Sequence, residues 1–311
     1  MFISLKSAVI EGIDAIPISI EIDAAKGLPS LNIIGLASGA AKESKDRAIH
    51  VLKNSGIELP PKKITINLAP ADLKKETSAV DLPIALGLAS ISENLKIDTE
   101  GFLFAAELSL NGILRPVKGI FPMGVLAKEK GLKLIVSKEN EKEAALSGVE
   151  TYGFDTFSEV LGFLLGKVKK NKSSLNIELV KAKGDYDLDF ADVKGQFKVK
   201  RAITIAAAGF HNVLMIGTPG VGKSMIAKRI PTILPEMSED EILTTTKIYS
   251  VCGFLNNDNP IITTRPFRAP HSGSSDVSLI GGGCRIHYFL RLYKSYCDST
   301  KVNETLRGRF S

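Results

Sequence analysis

Eight consecutive residues, Gly217-Thr218-Pro219-Gly220-Val221-Gly222-Lys223-Ser224, carry the most specific chemistry in this sequence. They match Gly-x-x-x-x-Gly-Lys-Ser/Thr, a spacing with a physical meaning. Glycines let the backbone curl until successive N–H groups converge on phosphate oxygens. A lysine at the end of the curl reaches the β- and γ-phosphates as a point charge, and the hydroxyl that follows ligates Mg²⁺. Lys223 and Ser224 fill these two positions. The expected cofactors are therefore ATP, or another nucleoside triphosphate, and Mg²⁺.

Such a loop works only when a strand leads in and a helix leads out. Val213-Leu214-Met215-Ile216 is apolar and reads as a short buried strand; Lys223–Ile230 reads as a helix whose positive end faces the phosphates. Upstream, Gln196–Ala208 has a helical pattern. Downstream, Ser238 followed by Glu241 is the signature of a capping box that starts another helix. A second α/β unit thus begins near Asp187.

The first half alternates strand and helix patterns. Strands are expected at Phe2–Val9, Ile16–Ile22, Leu31–Ile34, Lys63–Leu68, Leu103–Leu108 and Leu132–Val136, all rich in Ile, Leu and Val and bounded by Gly, Pro and Asn. Amphipathic segments lie at Ala41–Asn54, Ala79–Ser90, Gly119–Glu129, Glu139–Ala145 and Phe157–Leu165. Asn111-Gly112 between apolar runs signals a hairpin turn. These elements make a mixed α+β domain over residues 1–166. Lys167–Ser174 (KVKKNKSS) is charged, has little to bury and opens a linker over 167–186.

The 311 residues include 44% hydrophobic and 24% charged residues, an ordinary globular composition. No apolar run approaches the roughly 18 to 20 residues of a membrane span. No secretory signal opens the chain, so no membrane partner and a cytoplasmic location are expected. Cys252, Cys284 and Cys297 make neither a disulfide framework nor a zinc site. His50, His211, His271 and His287 do not cluster. The net charge of +6 permits contact with nucleic acid without requiring it. Lys42, Glu43, Lys45, Asp46 and Arg47 read as a solvated helix face.

Longer stretches carry a resemblance. Asp189-Phe190-Ala191-Asp192-Val193-Lys194-Gly195-Gln196, Lys200-Arg201-Ala202, Ile205–Ala208, His211-Asn212, the loop, Arg265-Pro266-Phe267-Arg268-Ala269-Pro270-His271 and Leu279-Ile280-Gly281-Gly282-Gly283 resemble the magnesium-chelatase-like branch of AAA+ ATPases. More closely, they resemble the ComM family of competence-associated proteins. Gly27-Leu28-Pro29, Gly35-Leu36, Ala41-Lys42-Glu43-Ser44, Lys53-Asn54-Ser55-Gly56, Ile66–Leu73 and Asp81-Leu82-Pro83-Ile84-Ala85 resemble the same family's first domain. Thr77, Ser272 and Ser38–Ala40 depart from its pattern. The resemblance implies a Lon-protease-like (ribosomal S5 domain 2-like) α+β domain followed by an incomplete α/β P-loop AAA+ domain over 187–283. It places the segment around Asp192–Gln196 near the adenine, with Asp192 and Val193 as its cofactor-binding residues. Intact relatives are implied to be hexameric ATPases moving on DNA during recombination of transforming DNA, so self-association and DNA are the implied partners.

The resemblance also raises rivals. Lon-like proteases pair a nucleophilic Ser with a Lys base. Ser78 falls at the Ser position, but the Lys expected just after Pro116-Val117-Lys118-Gly119 is replaced by Ile120-Phe121-Pro122-Met123, so the domain is expected to be proteolytically inactive. ATP hydrolysis needs an acid pair at the end of a second strand. The adjacent acids Glu239-Asp240-Glu241 read instead as a helix start, so nucleotide binding without hydrolysis is expected. No catalytic residue is assigned. Residues 284–311 match nothing in the family. They read as out-of-frame sequence or, with six Lys/Arg against Asp298 and Glu304, as a basic arm for nucleic acid. A chelatase subunit for metal insertion and a non-functional truncated fragment are the alternatives.

Overall fold

Alternation builds the first unit. Ile18, Ile20, Ile22 and Ala24 of one strand are buried, while Glu21 and Asp23 between them are not. This strand, β2 (Asp14–Ala25), follows β1 (Phe2–Glu11) through a turn in which Gly12 takes φ +64°. Such a backbone favours glycine. The structure is a computed structural model that describes residues 1–35, 39–71, 73, 77–173, 186–255 and 260–269. The expectations at Leu36, Ser38, Asp72, 174–185 and 270–311, including His271, Ser272, Gly281–Gly283 and the tail, lie outside these residues.

Among the described residues, the remaining strands are β3 (Ser30–Ile34), β4 (Lys63–Ala69), β5 (Phe102–Ala105), β6 (Glu107–Leu108), β7 (Leu114–Arg115), β8 (Lys133–Ser137) and β9 (Thr151–Phe154). Seven form one sheet in the order β3-β4-β2-β1-β5-β8-β9. Pairs β1·β2 and β2·β4 are antiparallel; β3·β4, β1·β5, β5·β8 and β8·β9 are parallel. The fold is mixed α/β with a mostly parallel sheet.

The helices are α1 (Gly39–Asn54), α2 (Asp81–Ser92), α3 (Ile120–Glu129), α4 (Glu141–Ala145), α5 (Phe157–Leu164), α6 (Phe197–Ala208), α7 (Lys223–Ala227) and α8 (Glu239–Cys252). Two compact units result. One joins Met1–Val180 with Tyr249–Ile261, and the other joins Lys181–Ile248 with Ile262–Ser311.

Several expectations change. Helix α2 is not amphipathic: Asp81 through Ile91 are all buried. At Gly87 an added Cβ would lie 2.6 Å from Ile22 Cδ1, so the missing side chain sets how closely α2 approaches the sheet. Leu103–Leu108 is two strands, because Ala106 turns its backbone to the start of α2, accepting from Leu82 N at 3.3 Å and donating to Ala79 O at 3.4 Å. Asn111-Gly112 does turn the β6–β7 hairpin, with Gly112 at φ +83°. Arg47 is not on a solvated face. Its Nε donates to Asp81 Oδ2 at 2.7 Å and its Nη2 to Oδ1 at 3.1 Å, and Asp81 is fully buried. Residues of the expected linker keep to the first unit. Thr151 and Ser173 exchange backbone bonds at 3.1 and 2.9 Å, and Lys170 Nζ lies over the Phe154 ring.

Candidate nucleotide-binding site

The second unit has a small core of Phe190, Val193, Ile203 and Ile226, with Val199, Met215, Ile230 and Ile233 packed on it. Beside that core runs the glycine loop. Gly220 and Gly222 take φ +84° and +88°, conformations that side chains disfavour. Nothing lies within 4 Å of a Cβ added at Gly220. Glycine there answers to backbone conformation and not to crowding.

Val213–Ile216, expected as a buried strand, forms no regular element and pairs with no strand among the described residues. Leu214 is 84% and Ile216 88% exposed. An apolar run becomes a strand only when a neighbour satisfies its backbone, and no described residue does so here. The helix expected over Lys223–Ile230 stops at Ala227 and resumes as a 3₁₀ turn at Ile230–Ile233, with Pro231 in its first turn. With α7 only five residues long, attraction for an anion would rest on the loop's own N–H groups and Lys223 more than on the helix end.

Lys223 folds over the loop, its Nζ donating to Gly217 O and Thr218 O at 2.8 Å each. Thr218, Pro219, Gly220, Val221 and Ser224 are exposed. Next to the loop lies a cleft of about 390 Å³ whose walls include Gln196, Val199, Ile203, Val221, Lys223 and Ile226. A cation at the mouth of an apolar cleft, beside a glycine loop and an exposed hydroxyl, suits a phosphate bearing an organic group. The residues present therefore fit a nucleotide. Lys223 and the loop amides would hold its phosphates, and Ser224 would offer its hydroxyl to Mg²⁺.

Asp192 and Val193 lie in the segment that leads into α6. Asp189–Asp192 is a reciprocal capping turn: Ala191 N donates to Asp189 Oδ1 at 2.8 Å, and Asp189 N donates to Asp192 Oδ2 at 3.1 Å. Arg229 clamps this turn, with Nε donating to Asp189 O at 3.0 Å and Nη2 to Asp192 Oδ2 at 3.5 Å. Val193 buries its side chain, its N–H donates to Phe190 O, and its carbonyl accepts from Lys200 Nζ at 2.9 Å. Neither residue lines the cleft; Gln196 does. Gln196 holds φ +53° and donates from Nε2 to Val221 O at 3.2 Å. Gln196 is the residue of the expected Asp192–Gln196 segment that lines the cleft.

A family model described as subunit ChlI of Mg-chelatase matches residues 20–140, and one described as magnesium chelatase, subunit ChlI, matches residues 189–288, past the limit at 283 expected for the family sequence. The chain is 42% identical to competence protein ComM of Haemophilus influenzae over 280 residues, 88% of this chain and 54% of that protein. It is 40% identical to YifB of Escherichia coli over 274 residues, 88% of this chain and 53% of that protein. The chain belongs to the ComM-like, magnesium-chelatase-related family. It spans about half the length of the ComM-like relatives it matches.

Lon protease 2 of Bacillus subtilis is 26% identical over 181 residues, 53% of this ComM-like chain and 32% of that protein. Ser78, at the Lon-like position, is half-buried, and its carbonyl accepts Asp81 N at 3.1 Å. The stem of Lys118 packs where Gly253 leaves room, an added Cβ there lying 2.7 Å from Lys118 Cε. The acids at Glu239–Glu241 begin α8 as expected: Ser238 N donates to Glu241 Oε2 at 2.9 Å, and Glu241 N to Ser238 Oγ at 3.3 Å. Arg265 then grips Glu241 at 3.0 and 2.9 Å, and also donates from Nε to Pro235 O at 2.6 Å. Only 5% of Arg265 is exposed, so it braces α8 and does not present its charge to a ligand. Arg265 and Ser238 hold the Glu241 carboxyl below its usual range against the opposing effect of burial. Among the described residues no helix is long and apolar enough to cross a membrane, and no group of His, Cys, Asp or Glu could hold a metal ion.

Proposed function

We propose that this ComM-like chain binds ATP with Mg²⁺ through Gly217–Ser224. The observation that carries the reading is the left-handed backbone at Gly220 and Gly222 with Lys223 folded over the loop beside an apolar cleft. Lys223 would exchange its bonds to the Gly217 and Thr218 carbonyls for phosphate oxygens. Loop N–H groups would fix the phosphate chain, and Ser224 would take a place in the Mg²⁺ shell. The bound ion would neutralise phosphate charge. In this reading residues 1–166 form a Lon-protease-like (ribosomal S5 domain 2-like) α+β domain without peptidase activity, joined through 167–186 to a P-loop AAA+-type domain over 187–283. The protein self-associates and acts on DNA in the cytoplasm, binding nucleotide without hydrolysing it.

The test is equilibrium binding of ATP to the whole chain with and without Mg²⁺. Lys223→Ala is expected to weaken binding by about a hundredfold, roughly 2.7 kcal/mol. Equal affinities would refute the site. Both family-model descriptions name a magnesium chelatase subunit, which favours a second reading, metal insertion. ComM identity running through both units supports the first. ATP turnover measured with and without DNA separates them: stimulation by DNA favours the ComM-like role, and any turnover abolished by Lys223→Ala refutes binding without hydrolysis.

A further inference from the structure

The segment that precedes α6 touches the phosphate loop through one side chain, Gln196, whose Nε2 donates to the Val221 carbonyl at 3.2 Å. Gln196 adopts φ +53° and ψ +36°, a left-handed conformation that residues with a Cβ disfavour. The far end of the same segment is held independently: Arg229 donates to Asp189 O, and Phe190 N donates to Thr232 Oγ1 at 3.2 Å. With that end fixed, the left-handed turn at Gln196 leads into α6 with its amide at the loop.

The Val221–Gly222 peptide is trans, as are all described peptides except Ala69-Pro70. In a planar trans peptide the carbonyl and the next N–H point in opposite directions. Drawing the Val221 carbonyl to Gln196 therefore turns the Gly222 N–H away from Gln196. Glycine at 222, φ +88°, has two accessible backbone wells, and without an external tie this peptide has little to choose its orientation.

We propose that Gln196 is a positioning residue for phosphate binding: by holding the Val221 carbonyl it presets the Val221–Gly222 peptide with its N–H available to the phosphate chain. The proposal rests on the nucleotide reading above. It concerns the phosphates and not the base, so it makes a specific demand. Loss of the amide weakens ATP and base-free inorganic tripolyphosphate by the same factor.

The whole chain is compared with Gln196→Gly, Gln196→Glu and Lys223→Ala for binding of ATP and of tripolyphosphate and for ligand-free thermal melting. Gln196→Glu keeps the shape and removes the donor, and because it adds a negative charge beside the phosphates the size of the effect is read from the neutral Gln196→Gly. Gln196→Gly removes the donor and relieves the left-handed strain. Both are expected to bind ATP and tripolyphosphate roughly three- to tenfold more weakly, the loss of one net hydrogen bond. The ligand-free melting temperature of Gln196→Gly stays level or rises, a split that a merely structural residue would not produce. Unchanged affinity in Gln196→Glu overturns the proposal. So does a loss confined to ATP, which would place Gln196 against the base, or a fall in melting that matches the fall in affinity. If wild type binds neither ligand, or Lys223→Ala binds as wild type does, the nucleotide reading itself fails, and this proposal with it.

Discussion

Strand β4 in the first unit and the run Val213–Ile216 in the second are built from similar apolar residues. Ile64, Ile66 and Leu68 of β4 are 0 to 2% exposed between two neighbouring strands. Leu214 and Ile216 are 84 and 88% exposed with no strand beside them among the described residues. Apolar character supplies the tendency to bury; a partner for the backbone decides whether burial happens. The same contrast marks the charges. In the first unit Asp81 lies fully buried under Arg47, Ser44 and the Leu108 N–H. In the second, Lys223 donates to two loop carbonyls beside exposed residues. In the first unit that ion pair is internal, and in the second the loop lysine stays beside exposed residues.

Removing the first unit's internal cation should show the largest effect on stability. Burial pushes the Asp81 carboxyl up, and the Arg47 bond opposes it most. Arg47→Met leaves that carboxylate buried without its cation and is expected to cost about 3 to 5 kcal/mol, read from the thermal unfolding of the whole chain. A shift within error would break the contrast between the units. Asp81→Asn added to Arg47→Met should recover part of the loss. Next comes Arg265→Met in the second unit. Glu241, with a side chain 27% exposed, can rehydrate, so roughly 2 kcal/mol is expected. Faster hydrogen exchange confined to the first turns of α8 is the readout, and unaltered exchange would remove Arg265 from its bracing role.

The smallest expected effect is a pH dependence. Burial pushes the Glu143 carboxyl up, against bonds from Ser250 Oγ at 2.6 Å, Phe121 N at 3.2 Å and Asn140 Nδ2 at 3.5 Å. The folded state therefore keeps this proton to higher pH than the unfolded chain, whose glutamates titrate near about 4.3. The contribution is fully present below that unfolded value and is lost as pH rises through the folded one. Glu143→Gln cannot titrate, so its stability relative to wild type should improve between about pH 4 and pH 7. A constant difference across that range would show that Glu143 titrates alike in both states.

Much of the fold was legible because its signals are local. Gly112 between Asn111 and Ile113 turns the hairpin, and Ser238 with Glu241 caps α8. Strand β9 was missed because Thr151–Phe154 is buried at every position, leaving no alternation to read. Arg47 was placed outside because its helix neighbours are charged; nothing within α1 announces that Asp81, 34 residues on, awaits it. At the candidate site the loop was plain from its glycines. The family stretch around it pointed to the segment Asp192–Gln196; Gln196 lines the cleft, and Arg229 and Lys200 engage Asp192 and Val193.

By itself the sequence determined the phosphate loop, the capping box, most element positions and membership of a ComM-like, magnesium-chelatase-related family. All of these are set by residues close together in the chain, where spacing and backbone preference are enough. Only the tertiary structure decided that α2 is buried on every side, that Arg47 faces inward, that Val213–Ile216 lies open, and that Gln196 holds the loop. Each of those depends on which distant backbone or side chain lies alongside, and no local pattern specifies that.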